Sequence, residues 1–456
     1  RVGITDEAAK LNLNTADEWQ LLSLVKSATV CETEIDPQDI VDAILDWRDA
    51  DKKELGDQTG TEGDYYRQLD HPYRVANKDF ETVEELLLVK GVTAAILYGE
   101  DFDRNGLLTP NEDDGEDTFP LDNADGTLNR GLYPYLTVHS YDEDVSNDRR
   151  ARIYLYGDEE AVREALTEVF DGESEVVDYI VEVTRAQGPG VAGGGNAGKQ
   201  GGGGSPATGA SGGNTGTNTG TPTGRGGDKS ERRQQRREDG SMEDPGDEPG
   251  ADDESGEPVI SEDGEDGDAQ SGDDESDDAQ TDVPPIRSPA SLALARSIRG
   301  ELRPSPVGLE HLELLMDRTT IRPPAERTVV GLININTAPV PVLRTFRDLT
   351  EDDVQSIVDA RGSLDAEDKL TTAWLAVHEI IPLETYERIA PFITARGRQF
   401  TIESLGYADH VGMVSRLQVV VDMVGSIPQT IYYRDLTALG GHYPIREKDR
   451  ENVRVR

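Results

Sequence analysis

Two stretches of this chain repeat one pattern of apolar and polar positions. Near the start it reads Leu11-Asn12-Leu13-Asn14-Thr15-Ala16, and far downstream Ile333-Asn334-Ile335-Asn336-Thr337-Ala338. The alternation predicts a short strand. Thr15 and Thr337 then stand where a helix N-cap belongs, and Pro339 falls in a first turn, where a missing N–H costs little. Asp17-Glu18 add the negative charge that a helix N-terminus favours. A second helix is predicted after each phrase. One runs from Pro37 to Arg48, with Ile40, Ile44 and Trp47 on one face; the other runs from Glu351 to Arg361, with Val354, Ile357 and the stem of Arg361 together. A degenerate third copy begins at Ile153-Tyr154-Leu155-Tyr156-Gly157-Asp158 and feeds a helix from Glu159 to Phe170. The predicted unit is a strand leading into a helical hairpin, repeated inside one chain. Further on the period changes: Gln399–Tyr407, Ser415–Val424 and Thr430–Tyr433 read as three strands, with Gly425 and Pro428 in a turn. The charged end from Glu447 to Arg456 is expected to fray.

Composition divides this picture. From Gln187 to about Ala290 the chain is built of Gly, Ser, Thr, Asn, Asp and Glu. It contains a basic cluster at Arg232-Arg233-Gln234-Gln235-Arg236-Arg237, then 21 acidic and no basic residues between Glu238 and Asp282. Such a stretch buries too little apolar surface to offset its ordering entropy and reads as a disordered, self-repelling linker. Over the whole 456 residues the net charge is −46. That disfavours binding of nucleic acid by charge alone and suits calcium or a basic protein partner. The lone Cys31 excludes an intrachain disulfide framework, a Cys-ligated zinc site and a CxxC motif. The six histidines (71, 139, 311, 378, 410 and 442) form no HExxH pair. No run of 18 apolar residues exists to span a membrane. The chain begins with Arg1, which reads as a processed or trimmed form.

The sharpest chemical motif is Asp101-Phe102-Asp103-Arg104-Asn105-Gly106-Leu107-Leu108-Thr109-Pro110-Asn111-Glu112. It matches the calcium loop of an EF-hand at positions 1, 3, 5, 6 and 12, with an apolar residue at position 8. Asp101, Asp103 and Asn105 offer side-chain oxygens, and Gly106 permits the sharp turn. Leu107 offers a carbonyl, and Glu112 closes the shell with two oxygens. A solvated acidic turn is the alternative, although without a cation three carboxylates in one tight loop repel one another. Val83–Leu97 is expected as the entering helix. Asp113-Asp114-Gly115-Glu116 does not read as an exiting helix, which points to a structural site rather than a helix-opening sensor. Asp122-Asn123-Ala124-Asp125-Gly126 is a broken echo of the loop. A third acidic loop runs through Asp49, Asp51, Asp57, Glu62 and Asp64. Both read first as polar loops. GxSxG and P-loop motifs are absent, Cys31 has no nearby histidine, and paired carboxylates carry no specificity in so acidic a chain. No enzyme is expected.

Several separate motifs, in one order, resemble the type II secretion system minor pseudopilin K family, also called general secretion pathway protein K. They are Leu11 to Ala16, Ile44-Leu45-Asp46-Trp47-Arg48-Asp49-Ala50-Asp51, Gly63-Asp64-Tyr65-Tyr66, Leu69-Asp70-His71-Pro72-Tyr73-Arg74, Phe80 to Thr93, and Pro134-Tyr135-Leu136-Thr137-Val138. Ile333 to Leu343 and Tyr432-Tyr433-Arg434-Asp435-Leu436 fit the family's ending, and the likeness spans about two thirds of the chain. The resemblance implies an α+β fold: a pseudopilin-type antiparallel sheet with a large inserted helical, helix–hairpin–helix-like domain, here with the long acidic linker added. The expected division is a leading strand segment (1–14), the inserted helical domain with the calcium loop (15–135), and a strand with helices as a possible degenerate repeat (136–186). The linker (187–290) and a helical hairpin with the C-terminal pseudopilin sheet (291–456) follow.

The same resemblance implies a non-catalytic cap at the tip of a periplasmic pseudopilus. It implies the minor pseudopilins I and J as partners, an inner-membrane anchor and bound calcium in the inserted domain. The Asp101–Glu112 loop reads as an elaboration, and the acidic loop after Trp47 lies nearer the family's own site. The family's N-terminal apolar helix is missing, and the linker and Ile153–Val183 are extra. The alternative function is a helix–hairpin–helix DNA-binding protein. Such proteins present backbone amides of a Gly-x-Gly turn to phosphate. The corresponding turn, Arg347-Asp348-Leu349-Thr350-Glu351-Asp352-Asp353, has no glycine and carries acids that repel phosphate.

Overall fold

In the computed structural model the first strand finds its partner near the other end of the chain. Described are residues 2–28, 35–50, 61, 63–115, 122–188, 285–298, 301–408, 413–425 and 427–440. β1 (Val2–Asp6) lies antiparallel to β2 (Gln399–Ala408), with Val2 opposite Ser404 and Asp6 opposite Phe400. β3 (Met413–Asp422) and β4 (Gln429–Asp435) continue the antiparallel order β1-β2-β3-β4. The fold is therefore a mixture of helices with an antiparallel sheet. The helices lie, in sequence, between the sheet's first two strands. Along β3 the side chains alternate as the pleat requires: Arg416, Gln418 and Val420 are buried, while Ser415, Leu417 and Val419 point to the other face.

The repeated phrase builds the same device three times. Leu11–Asn12 pairs in parallel with Leu136–Thr137, Ile153–Tyr154 with Thr319–Thr320, and Ile333–Asn334 with Ile393–Thr394. The next amide in each copy bonds across the ladder: Leu13 N–H to the Thr137 carbonyl (2.8 Å), Leu155 N–H to Thr320 (2.9 Å) and Ile335 N–H to Thr394 (2.9 Å). Parallel strands need a long crossover. Helices supply part of each: α1 (Glu18–Ala28) packed on α2 (Pro37–Arg48), α3 (Glu159–Val169) on α4 (Ser174–Ala186) with α5 (Leu309–Arg318) later in the crossover, and α6 (Glu351–Ser363) with shorter turns. The degenerate third phrase is thus the middle copy.

The helices start later than Thr15 and Thr337. The side chains of Asn12 and Asn334 accept the amides of Asn14 (2.9 Å) and Asn336 (3.0 Å), and their carbonyls accept those of Ala16 and Ala338 (2.9 Å each). These Asx turns end the strand before a helix can begin. Asp17 caps α1 instead, its Oδ1 accepting the Gln20 amide at 2.7 Å. Thr337 directs its hydroxyl to Asp6 Oδ2 at 2.8 Å.

One apolar core runs through all three units, from Leu11, Ile44 and Trp47 through Leu166 and Ile180 to Ile357 and Trp374. Trp47 packs edge-on to Tyr66 at 5.2 Å between ring centroids, and such pairs contribute about 0.5–1.5 kcal/mol beyond area burial. Ile286 and Ala290, which composition assigned to the linker's end, are buried in the core. Residues 189–284, holding nearly all of the expected linker, lie outside the described residues, as do Cys31 and the chain end from 441.

Candidate functional site

The Asp101–Glu112 loop follows a short helix, Ala94–Tyr98, whose N-cap Thr93 accepts the Ile96 amide at 3.2 Å. The expected single helix over Val83–Leu97 is broken in two. Val83–Leu88 is a 3-10 turn, Gly91 takes a positive φ of 83°, and Thr93 restarts the helix. The glycine and the cap outweigh the apolar residues on either side of them. Gly99 then turns the chain with φ 61°, and a Cβ there would sit 2.3 Å from the Asn129 carbonyl oxygen. Only glycine allows the loop entrance to lie this close to the segment that returns from it.

Within the loop the carboxylates are held by amides. Asp101 accepts from the amides of Asn105 (2.8 Å) and Gly106 (3.0 Å). Asp103 accepts from the Asn105 amide (2.9 Å) and side chain (2.6 Å). Glu112 accepts from the amide (3.0 Å) and hydroxyl (2.7 Å) of Thr109, which caps the short turn Pro110–Glu112. That turn stops at Glu112, with Asp113 as its C-cap. Oxygens of Asp101, Asp103 and Glu112 lie within 4.8 Å of one another. Among the described residues this is the one group of three possible metal ligands gathered so closely. Asp101 and Glu112 are buried and Asp103 is half-buried.

The side-chain oxygen of Asn105, in the same loop, accepts the Leu107 amide at 2.6 Å. Leu107 enters the network through that amide. Burial pushes the Asp103 carboxyl above its usual range, and the charge of Asp101 adds to this. Burial likewise raises Glu112, with Asp103 and Asp101 contributing. An all-oxygen donor set whose carboxylates resist ionising together fits a hard divalent cation.

Cations to which the sequence reading gave no role surround the loop. Arg130 Nε reaches Asp101 Oδ2 at 3.3 Å. Arg416 of β3 is buried, and its guanidinium donates to the carbonyls of Asp103 (2.6 Å) and Arg104, and to Glu403 Oε2 at 3.2 Å. Arg104 meets Glu84 at 3.3 Å and lies over the rings of Tyr98 and Tyr133. Arg434 of β4 pairs with the same Glu84. The loop is thereby fastened to the sheet. One signal was available: an arginine at an inward position of an alternating strand needs an internal partner.

The other acidic loops differ. Asp122 spends its oxygens on the amides of Asp114 (3.1 Å), Gly115 (2.9 Å) and Ala124 (2.7 Å), as a surface turn does. In the loop after Trp47, Asp51, Asp57 and Glu62 lie outside the described residues.

A family model described as "Type II secretion system (T2SS), protein K" matches residues 8–98. None of the curated proteins compared with the chain matches it. Among solved structures, the chain is similar to one in the crystal structure of the GspK-GspI-GspJ complex from the enterotoxigenic Escherichia coli type 2 secretion system. The identity is 9% and the TM-score 0.37, over 97% of this chain and 79% of that one. The matched stretch holds the first Asn-Leu-Asn-Thr-Ala phrase, the α1–α2 hairpin and Trp47. Over residues 8–98 the chain is similar to the type II secretion system protein K family.

Proposed function

We propose that this chain is a structural minor pseudopilin that caps the tip of the type II secretion pseudopilus and helps initiate its assembly for protein export across the outer membrane. The observation that carries the reading is the protein K match over residues 8–98. The sheet topology supports it, since a large helical body carried between two paired strands gives a small sheet a bulky, partner-binding head. The role requires no catalysis. Its partners are the minor pseudopilins I and J. The bulk of the chain is periplasmic, and the inner-membrane anchor lies outside the described helices, none of which is long and apolar enough to cross a membrane.

Calcium in the Asp101–Glu112 loop belongs to the same proposal. Asp101, Asp103 and Glu112 would hold it by carboxylates, Asn105 by its side chain and Leu107 by its carbonyl. The ion supplies a compact positive charge that relieves the mutual repulsion of the carboxylates. The DNA-binding alternative finds no support at the start of α6. There Glu351 pairs with Arg344 (Nε to Oε2, 2.9 Å), Asp353 caps the helix through Thr350, and Asp352 adds a third negative charge.

The test is reconstitution. Mixed with the soluble domains of pseudopilins I and J, the folded chain is expected to give one ternary species by size-exclusion chromatography with light scattering. With its anchor supplied, it is expected to restore export in a strain lacking protein K. A folded chain that binds neither partner and restores no export removes the proposal.

A further inference from the structure

A second polar site lies away from the loop, where the middle and last repeats meet. It is a cavity of about 90 Å³ bordered by Thr320, which ends one return strand, with Arg322 just beyond it, and by Thr394, which ends the other, with Arg396 just beyond it. A single water needs only ~15 Å³ on this kind of measure, so the space takes a polyatomic ligand.

The charges around it do not cancel locally. Asp142 is occupied: Arg396 Nε lies 3.0 Å away, Arg398 Nε 3.3 Å, and the Thr394 hydroxyl donates to it at 3.1 Å. Asp144 is occupied by Arg152 at 2.8 Å and the Thr320 hydroxyl at 2.5 Å. Glu143 reaches the wall from the short strand Tyr141–Glu143, which pairs antiparallel with Thr328–Val330. Arg322 has no carboxylate at ion-pair distance among the described residues. The hydrogen bond its guanidinium makes there is a 3.5 Å contact with the Pro391 carbonyl. A guanidinium has five N–H donors, so most of its capacity faces the cavity unspent. Burial pulls its pKa down, with Asp144 and Glu326 opposing.

Two hydroxyls complete the setting. Ser288 is 4% exposed, and its Oγ has no hydrogen-bond partner. Thr371 Oγ1 is also buried without one. Both residues line this cavity. Buried donors without partners are rare in folded proteins and ask for an acceptor. Arg287, exposed at the rim beside Ser288, adds a second guanidinium.

We propose that this cavity is a binding site for a small tetrahedral oxyanion of the phosphate or sulfate class, held by the Arg322 guanidinium and the hydroxyls of Ser288 and Thr371, with Arg287 at its mouth. Guanidinium forks and hydroxyls are the donors that suit such oxyanions. A bound anion would tie the two return strands to the segment entering at Ser288.

The experiment titrates inorganic phosphate, sulfate and acetate into the full chain at constant ionic strength made up with chloride, following Tm and binding heat. Phosphate and sulfate are expected to give a saturable one-site isotherm and a rise in Tm. Arg322→Gln is expected to weaken binding roughly tenfold or more, and Ser288→Ala severalfold. A response no larger than that of chloride overturns the site and leaves the cavity to water. An isotherm unchanged in Arg322→Gln or, should that variant fail to fold, in Ser288→Ala, also overturns it. Acetate binding as tightly as phosphate replaces the tetrahedral class with a carboxylate.

Discussion

Arg48 and Arg361 make the same pair of bonds in two distant copies of the repeat. Arg48, at the end of α2, donates to the carbonyls of Leu13 and Ala16 (2.5 Å), the third and sixth residues of the first phrase. Arg361, near the end of α6, donates to the carbonyls of Ile335 (2.7 Å) and Ala338 (2.6 Å), the third and sixth residues of the last. In the middle copy Arg185, at the end of α4, reaches the Gly157 carbonyl at 2.6 Å. The closing helix of each hairpin thus returns a guanidinium to the turn that began the unit. Burial lowers Arg48 below its usual range and Arg361 to about 10, yet both carry charge at neutral pH.

Arg361→Met is therefore expected to cost about 2–4 kcal/mol, because it strips charged donors from buried carbonyls. Arg361→Lys recovers little of this, since an ammonium lacks the planar fork that meets both oxygens. Urea unfolding checks both variants. A loss below about 0.5 kcal/mol, the range of ordinary surface changes, would mean that the arginine is incidental.

Chelation is expected to lower Tm, and the Asp101→Ala, Asp103→Ala double variant to lose that response. At a free calcium concentration of 100 times Kd the ion stabilises by about 2.7 kcal/mol. Melting curves with and without chelator decide the point, and identical wild-type curves would remove calcium from the loop.

Arg416 is the tie between the loop and the sheet. Arg416→Met is expected to destabilise the chain by about 2–4 kcal/mol, leaving two loop carbonyls and Glu403 short of their donor. Amide hydrogen exchange should quicken at Asn105 to Leu107 before it quickens in α1 or α2. Equal acceleration throughout would mean that the tie has no local effect.

Glu7 gives a pH signature. It is buried at the junction of β1, the first return strand and β2, accepting from Lys10 (2.6 Å), Thr137 and Thr401 (2.5 Å). Burial alone would raise its pKa, but Lys10 and the two hydroxyls hold it below the usual carboxylate range. A depressed folded pKa stabilises above the unfolded value, and that contribution is lost as pH falls through the folded one. Stability is expected to decline from about pH 5 downward. Glu7→Gln should be less stable at neutral pH and show a shallower decline. Parallel pH profiles for the two proteins would reject the assignment.

The parts of this architecture that rest on local chemistry were legible. Alternating apolar and Asn positions gave the first and last phrases, because an Asx turn after a strand leaves a short readable signature, while the copy at Ile153, which has no Asn, showed only as a short apolar run leading into a helix. The spacing of Asp101, Asp103 and Glu112 likewise brought its carboxylates together. Where neighbours distant in sequence decide the outcome, reading fell short. The ladder partners Thr137, Thr320 and Thr394 and the clamp from Arg416 depend on contacts far along the chain, from Asn334 to Thr394 up to the 313 residues between Asp103 and Arg416. The break at Gly91 was present in the sequence, but the apolar run from Val83 to Leu97 masked it.

The pairing of Val2 with Ser404 also sets an order of events. A ribosome delivers β1 first and its partner only after both flanking repeats and everything between them have been made. Until then the strand has bare hydrogen-bonding edges and exposed Val2 and Ile4, the kind of template on which chains stick to one another. Contacts so remote along the chain form slowly. The helical units, whose hairpins are local, can collapse while β1 waits. Closure of the sheet then becomes the last check on a finished chain: a truncated product has no β2 and leaves its first strand open.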